Sequence, residues 1–260
     1  MEVVILNGST QIARLAADAV EDLLRRKPDS VLGLATGSSP LPVYDELAAR
    51  HERDGLDFSR ASGFALDEYV GLPPGHPESY REVVRREFTN RVNIRPENVH
   101  GPDGAAADIP AACRAYEEAI AATGGVDLQI LGVGTDGHIA FNEPGSSFAS
   151  RTRIKSLIEQ TRRDNARFFS SLADVPHHVL TQGLGTIMDA RHVILLATGA
   201  QKAQAVRDFV EGPVAAICPA SILQFHPHAT VLLDEAAASA LKLADFYRHT
   251  YDNKPAWQGI

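Results

Sequence analysis

The sequence predicts an α/β fold, in which a mostly parallel sheet is covered by helices on both faces. Two observations lead to this prediction. Short apolar segments of strand length alternate along the chain with longer segments whose apolar residues recur at helical spacing. Small polar segments follow several predicted strands, as at residues 36–39 and 132–137. Strands that alternate with helices are joined by crossovers, which make the strands parallel and place the helices on the faces.

The alternation assigns the elements in chain order. We predict strands at residues 3–6, 30–35, 61–66, 126–131, 191–197 and 230–233. We predict helices at residues 10–26, 41–53, 78–91, 109–122 and 236–247, and a helical segment that opens within 181–186 and continues to Met188. The predicted helices carry apolar stripes, for example Cys113, Tyr116 and Ile120 in the segment 109–122.

The composition is that of an ordinary globular protein. Of the 260 residues, 44% are hydrophobic and 22% are charged. No linker, repeat or low-complexity tract divides the sequence, so we predict one domain over residues 1–260. The 25 Lys+Arg against 33 Asp+Glu give a formal net charge of −8, which argues against nucleic acid or an anionic membrane surface as a partner.

The sequence also favours a particular compartment. The N-terminal residues lack the basic start and apolar core of a signal peptide. No apolar run reaches the roughly 18 residues that would suggest a membrane span. Cys113 and Cys218 are far apart and flank no metal-type spacing, which is typical of reduced thiols. We therefore expect a cytoplasmic protein.

The segment 132–147 is the strongest candidate for a functional site. It reads GVGTDGHIAFNEPGSS and follows a predicted buried strand. In an open α/β sheet, ligands bind just outside the carboxyl ends of the strands. The segment contains Asp136, His138 and Glu143, and a histidine oriented by a carboxylate is suited to acid–base chemistry. The alternative for each residue alone is a helix cap or a turn.

A second candidate is the small polar loop after the strand 30–35. Backbone N–H groups and hydroxyls at the start of a helix can bind a phosphate. The residues are Thr36, Gly37, Ser38 and Ser39. No lysine completes the nucleotide-binding GxxxxGK[ST] pattern, and the same residues also suit an N-cap.

A third candidate is the carboxylate pair Asp67-Glu68, which follows the predicted strand 61–66. Apolar and aromatic neighbours can raise the pKa of a carboxyl group and make it a usable base. The alternative is a turn or an N-cap.

Basic residues suggest an anion near these segments. Six of them occur within a short stretch of an acidic chain, namely Arg151, Arg153, Lys155, Arg162, Arg163 and Arg167. A solvated face with ion pairs would explain most of such a run. Lys202 opposes the dipole of the helix that it begins, which is easier to understand if both bind an anion. The pairs His177-His178 and His226/His228 have no third ligand at suitable spacing, so we expect no metal site.

Five segments together resemble the glucosamine-6-phosphate deaminase (isomerase) family over nearly the whole chain. They are LGLATGSSP at 32–40, LDEYVGLPPGHPESY at 66–80, GVGTDGHIAFNEPGSSFASRTRIK at 132–155, ARFF at 166–169 and TGAQKA at 198–203. The resemblance implies a Rossmann-like fold and the conversion of D-glucosamine 6-phosphate and water to D-fructose 6-phosphate and ammonia. It also implies a place in amino-sugar (N-acetylglucosamine) catabolism and a hydrolase acting on C–N bonds, without a cofactor.

The resemblance assigns roles to the candidate residues. Asp67 would be the base that moves the proton between C2 and C1. His138 would serve opening of the pyranose ring, with Asp136 and Glu143 orienting it. The phosphate would bind to Thr36, Gly37, Ser38, Ser39, Arg167 and Lys202.

Regulation and assembly are further implications of the resemblance. Some members are hexamers activated by N-acetylglucosamine 6-phosphate, and the positions used there match Ser146, Ser147, Arg153 and Lys155. The C-terminal part near residues 247–249 does not align with an aromatic residue of that effector site. A mobile lid is also implied, with residues 150–177 as the candidate.

Two other functions have a similar sequence pattern. A 6-phosphogluconolactonase has a similar Gly-Asp-Gly-His segment, but Glu143 and the intact Asp67 segment favour the deaminase. A non-enzymatic sugar-phosphate sensor would need a DNA-binding module, and no segment of this chain is spare to form one.

Overall fold

A seven-stranded parallel sheet is the centre of the computed structural model, which describes residues 1–255 and 257–260 apart from the side chain of residue 164. The strands of the chain are β1 (Glu2–Leu6), β2 (Val31–Leu34), β3 (Ser62–Ala65), β4 (Asp67–Tyr69), β5 (Val99–His100), β6 (Leu128–Gly132), β7 (Arg153–Ser156), β8 (His178–Thr181), β9 (His192–Ala197) and β10 (Ala229–Asp234). The order in the large sheet is β1-β10-β9-β6-β2-β3-β5, and every pairing in it is parallel.

Helices connect these strands and flank the sheet. They are α1 (Ser9–Arg26), α2 (Leu41–Asp54), α3 (Tyr80–Glu87), α4 (Ile109–Ala122), α5 (Glu159–Asn165), α6 (Leu184–Met188), α7 (Ala203–Val210) and α8 (Ala244–Asp252). The inner strand β9 is buried at every position, as expected when helices cover both faces of a parallel sheet. The predicted Rossmann-like α/β fold is therefore confirmed.

The strand order reverses between β2 and β6. From β2 the chain adds β3 and β5 on one side, and from β6 it adds β9 and β10 on the other. Such a reversal opens a crevice at the carboxyl ends of the two strands, where ligands bind in this class of fold. The segments 36–39 and 132–147 both begin at this crevice.

A small antiparallel sheet, in the order β4-β8-β7, was not predicted from the sequence. The helical segment predicted to open within 181–186 and to continue to Met188 is α6, which begins at Leu184, while Thr181 ends β8. The basic segment at 153–156 is a strand whose residues alternate between partly buried and exposed, so it has no apolar run.

Two predicted helices have different bounds in the structure. The helix predicted at 78–91 is α3 followed by a separate 3-10 turn, Thr89–Arg91. The helix predicted at 236–247 lies later, at Ala244–Asp252, although the alanine-rich sequence suits a helix. The reason is tertiary, since the Glu211 carboxylate accepts hydrogen bonds from the backbone N–H groups of Lys242 and Leu243 and fixes the chain there as a loop.

Among the described residues, no helix is long and apolar enough to cross a membrane.

Gly104 permits the close approach of a loop to β4. An alanine Cβ at this position would lie 2.0 Å from the carbonyl oxygen of Tyr69, which is rigid backbone. We predict that Gly104→Ala lowers the free energy of unfolding by about 1–3 kcal/mol, because β4 must move to relieve the overlap. Urea denaturation measures the change. Gly101→Ala is the matched control, since its Cβ would meet only Ala65 at 3.8 Å. Equal stability of the two variants would contradict the prediction.

Candidate active site

The loop after β2 lies close to the end of β6 at the crevice. An ideal Cβ built on Gly132 would lie 3.5 Å from Cβ and Oγ of Ser39. The loop that contains Lys202 follows β9, which is the other neighbour of β6. The candidate phosphate residues at 36–39 and Lys202 therefore flank the segment 132–147 on either side.

The backbone around His138 is a tight turn that glycine makes possible. The N–H of Gly134 donates to the carbonyl of His138 at 2.8 Å, and the N–H of Gly137 donates to the carbonyl of Gly134 at 3.1 Å. An alanine Cβ at position 134 would lie 2.2 Å from Cε1 of the His138 ring. Only glycine leaves room for the imidazole at this distance.

Asp136 and His138 form a close pair. Oδ1 of Asp136 lies 2.6 Å from Nδ1 of His138 and also accepts the backbone N–H of His138 at 3.2 Å. Burial alone would raise the pKa of the Asp136 carboxyl, but the hydrogen bond and charge of His138 outweigh it and lower that pKa. An ionised Asp136 therefore orients the ring, and Nε2 of His138 is the nitrogen that can exchange a proton with a substrate.

Glu143 is buried and contacts a different element from the one the sequence suggested. Its Oε1 accepts a hydrogen bond from the hydroxyl of Thr161 in α5 at 3.0 Å, and the residue is 6% exposed. We expected Glu143 to orient His138. The side-chain hydrogen bond that the structure shows for Glu143 is with α5, and Glu143 lies at the far end of the turn that His138 begins, so its orienting role stays a prediction.

The turn between His138 and Glu143 is held under backbone strain. Ala140 has φ 51°, a left-handed conformation that L side chains disfavour. It persists because the following residues are fixed: the N–H of Phe141 donates to the Thr181 hydroxyl at 3.1 Å, and the Asn142 amide donates to the carbonyl of Gln182 at 2.8 Å.

Asp67 is a buried carboxylate at the first position of β4. It is 5% exposed, and its Oδ1 has no hydrogen-bond partner among the described residues. Burial, and then the nearby charge of Glu68, raise the pKa of Asp67 well above its usual range. A carboxyl group with a raised pKa and an oxygen free of internal hydrogen bonds is suited to accept and return a proton.

Thr181 joins the strand of Asp67 to the turn of His138, and sequence reasoning missed it. Thr181 pairs with Asp67 in the β4–β8 ladder, while its hydroxyl accepts the N–H of Phe141. The small antiparallel sheet therefore sets the position of the buried carboxylate relative to the histidine turn. A single threonine in an apolar sequence context gives no signal of this role.

The loop 36–39 is open to a ligand. Its four residues are exposed or partly exposed, and Gly37 adopts φ 93° with open space where a Cβ would be. The N-cap of α2 is Pro40, which makes no side-chain cap hydrogen bond. The alternative interpretation, that Thr36, Ser38 or Ser39 is itself the N-cap residue of α2, therefore does not hold.

The two cations expected near the phosphate lie on different elements. Lys202 is partly buried in a 3-10 turn, Ala200–Lys202, directly before α7. Arg167 is exposed in the 3-10 turn Ala166–Phe168, and its guanidinium lies 4.7 Å from the ring centroid of Phe168. The structure thus brings Lys202 to the crevice edge and records Arg167 on the segment after α5.

The residues expected to bind an effector are only partly brought together. Arg153 and Lys155 alternate along β7 and so share one face, and burial lowers the pKa of Arg153. Ser146 is buried with no partner for its hydroxyl among the described residues, whereas the hydroxyl of Ser147 accepts the N–H of Ala149 at 3.3 Å.

Glu68 has a structural role that the sequence did not reveal. Its Oε1 accepts the N–H groups of Tyr69 and Tyr80 at 2.8 and 2.9 Å, and its Oε2 accepts that of Arg81 at 2.9 Å. Tyr80 and Arg81 begin α3, so the carboxylate binds the positive end of this helix. Burial raises the pKa of Glu68 in spite of these three N–H groups.

We predict that Glu68→Gln lowers the pKa of Asp67. The substitution removes the negative charge that disfavours ionisation of the neighbouring carboxyl group, so Asp67 loses its proton at a lower pH. An NMR titration of the ¹³C-labelled Asp67 carboxyl measures the midpoint. Glu87→Gln, at the opposite end of α3 from the N–H groups that Glu68 binds, is the control and should leave the midpoint unchanged. A midpoint that stays or rises in Glu68→Gln would contradict the prediction.

Comparisons with known proteins identify relatives of the chain. The family model described as "Glucosamine-6-phosphate isomerases/6-phosphogluconolactonase" matches residues 7–232. The glucosamine-6-phosphate deaminase of Pseudarthrobacter chlorophenolicus is 87% identical over 260 residues, which cover 100% of both chains. That of Mycolicibacterium smegmatis is 66% identical over 261 residues, again with 100% of both chains covered.

Solved structures of related proteins have a similar fold. A structure described as a monomeric glucosamine-6-phosphate deaminase has a TM-score of 0.90 and 41% identity, and the match covers 92% of this chain and 100% of that one. The 6-phosphogluconolactonase of Trypanosoma brucei has a TM-score of 0.74 at 21% identity, covering 92% and 98% of the two chains. The second likeness shows the fold alone.

Proposed function

Since the chain belongs to the family of glucosamine-6-phosphate isomerases and 6-phosphogluconolactonases, we propose that it converts D-glucosamine 6-phosphate and water to D-fructose 6-phosphate and ammonia. The observation that carries the proposal is the buried carboxylate of Asp67, whose Oδ1 has no hydrogen-bond partner among the described residues and whose strand is linked through Thr181 to the turn of His138. Deaminases that match this chain over its full length support the same reaction.

His138 acts first, on the closed pyranose. Opening the ring requires a group that takes the proton of the C1 hydroxyl and returns a proton to the ring oxygen. Nε2 of His138 does both, because Asp136 at Nδ1 fixes the orientation of the ring and leaves Nε2 open to the substrate. The open-chain aldehyde is the product of this step.

Asp67 then carries a proton from C2 to C1. Removal of the C2 proton gives a cis-enolamine, and delivery of the proton to C1 gives an imine at C2. The burial that raises the pKa of Asp67 makes its carboxylate a stronger base for this transfer. Water adds to the imine, and ammonia leaves from C2. No step requires a metal or an organic cofactor.

Binding of the phosphate group positions the sugar in the site. The exposed hydroxyls and N–H groups of the loop 36–39 lie at the start of α2, whose dipole favours an anion. Lys202 and Arg167 supply positive charge. Binding energy from this remote group serves to position C1 and C2 against the two proton carriers.

The expected reaction class needs a correction. The class that the resemblance implied, a hydrolase acting on C–N bonds, is wrong. The description of the family model that matches the chain names isomerases, and the relatives are named deaminases. The proposed enzyme is therefore classed as an isomerase/deaminase.

Assembly, regulation and location form the finer part of the proposal. The solved deaminase with a TM-score of 0.90 is described as monomeric, so a hexamer is not needed for this fold and activity. Binding of N-acetylglucosamine 6-phosphate to the face of β7 that carries Arg153 and Lys155 remains a prediction. The free, buried thiols of Cys113 and Cys218 support a cytoplasmic location.

One assay tests the proposed function. The purified protein is supplied with glucosamine 6-phosphate, and ammonia and fructose 6-phosphate are measured with and without N-acetylglucosamine 6-phosphate. We expect equal amounts of the two products. Absence of ammonia together with rapid hydrolysis of 6-phosphogluconolactone, supplied in parallel, would assign the chain to the other activity of its family. A rate unchanged by the effector would remove the regulatory prediction.

Asp67→Asn tests the assignment of the base. We predict a loss of kcat of about 100- to 10,000-fold, because the amide cannot accept the C2 proton. The affinity for a non-reacting sugar phosphate should change little, since the phosphate contacts are remote from C2. Steady-state kinetics measure kcat, and calorimetric titration measures the affinity. Activity near that of the wild type would contradict the assignment of Asp67 as the base.

His138→Gln tests the assignment of the ring-opening group. We predict that it slows the reaction of the closed pyranose more than that of an open-chain substrate, which bypasses the step that His138 serves. Parallel assays on both substrate forms measure the ratio. Equal losses on both would argue against this role.

A further inference from the structure

We propose that α5 sets the relative position of the two proton carriers through Thr161 and Asn165, which are positioning residues for the reaction. The inference rests on the proposed function, because it assigns the two residues to different steps of that reaction. Its basis is one helix face that contacts both the turn of His138 and the strand of Asp67.

Thr161 holds the end of the histidine turn. Its hydroxyl donates to Oε1 of Glu143 at 3.0 Å, and the two residues are 9% and 6% exposed. A hydrogen bond from a buried hydroxyl to a carboxylate is stronger than one between neutral groups. If the hydroxyl were removed, Oε1 of Glu143 would lose this buried donor, so Thr161 restrains the position of Glu143.

Asn165 holds the strand of Asp67. Its Nδ2 donates to the hydroxyl of Tyr69 at 3.0 Å, and the Tyr69 hydroxyl also accepts that of Tyr80 at 3.1 Å. Tyr69 is 2% exposed and lies two residues after Asp67 in β4, so the two side chains lie on the same face of the strand. Asn165 therefore restrains the strand that carries the base.

The two contacts come from one face of α5. Residues four apart on a helix lie one above the other, which places Thr161 and Asn165 on the same side. The opposite side faces solvent, where Arg163 pairs with Glu159 at 3.1 Å. The helix is anchored by Arg162, whose buried guanidinium donates to the carbonyls of Leu172 and Val175 at 2.9 and 3.0 Å.

The chemical consequence differs between the two positions. Glu143 belongs to the turn of His138, so loss of the Thr161 hydroxyl disturbs ring opening. Tyr69 belongs to the strand of Asp67, so loss of the Asn165 amide disturbs proton transfer at C2. A helix that merely stabilised the fold would affect both steps alike.

The experiment compares four variants by the kinetic isotope effect of C2-deuterated glucosamine 6-phosphate. Thr161→Val removes the hydroxyl at nearly constant volume, and Thr161→Ser retains it. Asn165→Leu removes the amide donor. Arg163→Ala, on the solvent side of the same helix, is the matched control. Thermal unfolding of each variant checks that the fold is intact.

We expect Thr161→Val to lower kcat by about 10- to 100-fold, the range for a hydrogen bond to a charged group. Its isotope effect should fall towards one, because ring opening becomes limiting. Asn165→Leu should lower kcat with a larger isotope effect, because transfer of the C2 proton becomes limiting. Thr161→Ser and Arg163→Ala should resemble the wild type.

Results that would contradict the inference can be distinguished from one that would contradict the proposed function. Thr161→Val with the kcat and isotope effect of the wild type would overturn the inference and leave the proposed function standing. So would a Thr161→Ser variant as impaired as Thr161→Val, or isotope effects that move in the same direction at both positions. A wild-type protein that releases no ammonia would overturn the proposed function, and the inference with it.

Discussion

The pairing of β4 with β8 is the constraint on which the candidate active site depends. It aligns Asp67 with Thr181, and the hydroxyl of Thr181 accepts the N–H of Phe141 in the histidine turn. The parallel sheet alone leaves these two segments at the ends of different strands. The short antiparallel ladder fixes the position of one segment relative to the other. The left-handed conformation of Ala140 is tolerated because hydrogen bonds hold the residues that follow it.

The pKa values of the two aspartates of the site are shifted in opposite directions. Asp67 is enclosed, near the charge of Glu68, and its pKa is raised, so it favours the protonated form more than an ordinary aspartate does. Asp136 remains partly open and gains the contact with His138, so its pKa is lowered and it stays ionised. Carboxylates with such different pKa values can serve different roles, a proton carrier and a fixed counter-charge, within one crevice.

Much of the fold and part of the site could be predicted from the sequence. The strands of the large sheet other than the two-residue β5 and most of the helices are local patterns, and the segments 36–39 and 132–147 follow strands as polar loops. The antiparallel sheet could not be predicted, because β7 is only partly buried and β4 has three residues. The last helix was misplaced because Glu211, distant in sequence, fixes residues 242 and 243.

The sequence by itself determined the α/β fold, the family and the residue types able to move protons, because these follow from local periodicity and from motifs read along one strand or loop. Only the tertiary structure decided which of these residues meet. Asp136 reaches His138 within one turn, but Glu143 bonds to Thr161 of α5, and Glu68 binds the start of α3. The last two contacts join different elements of the fold, and their distances depend on how those elements pack rather than on local sequence.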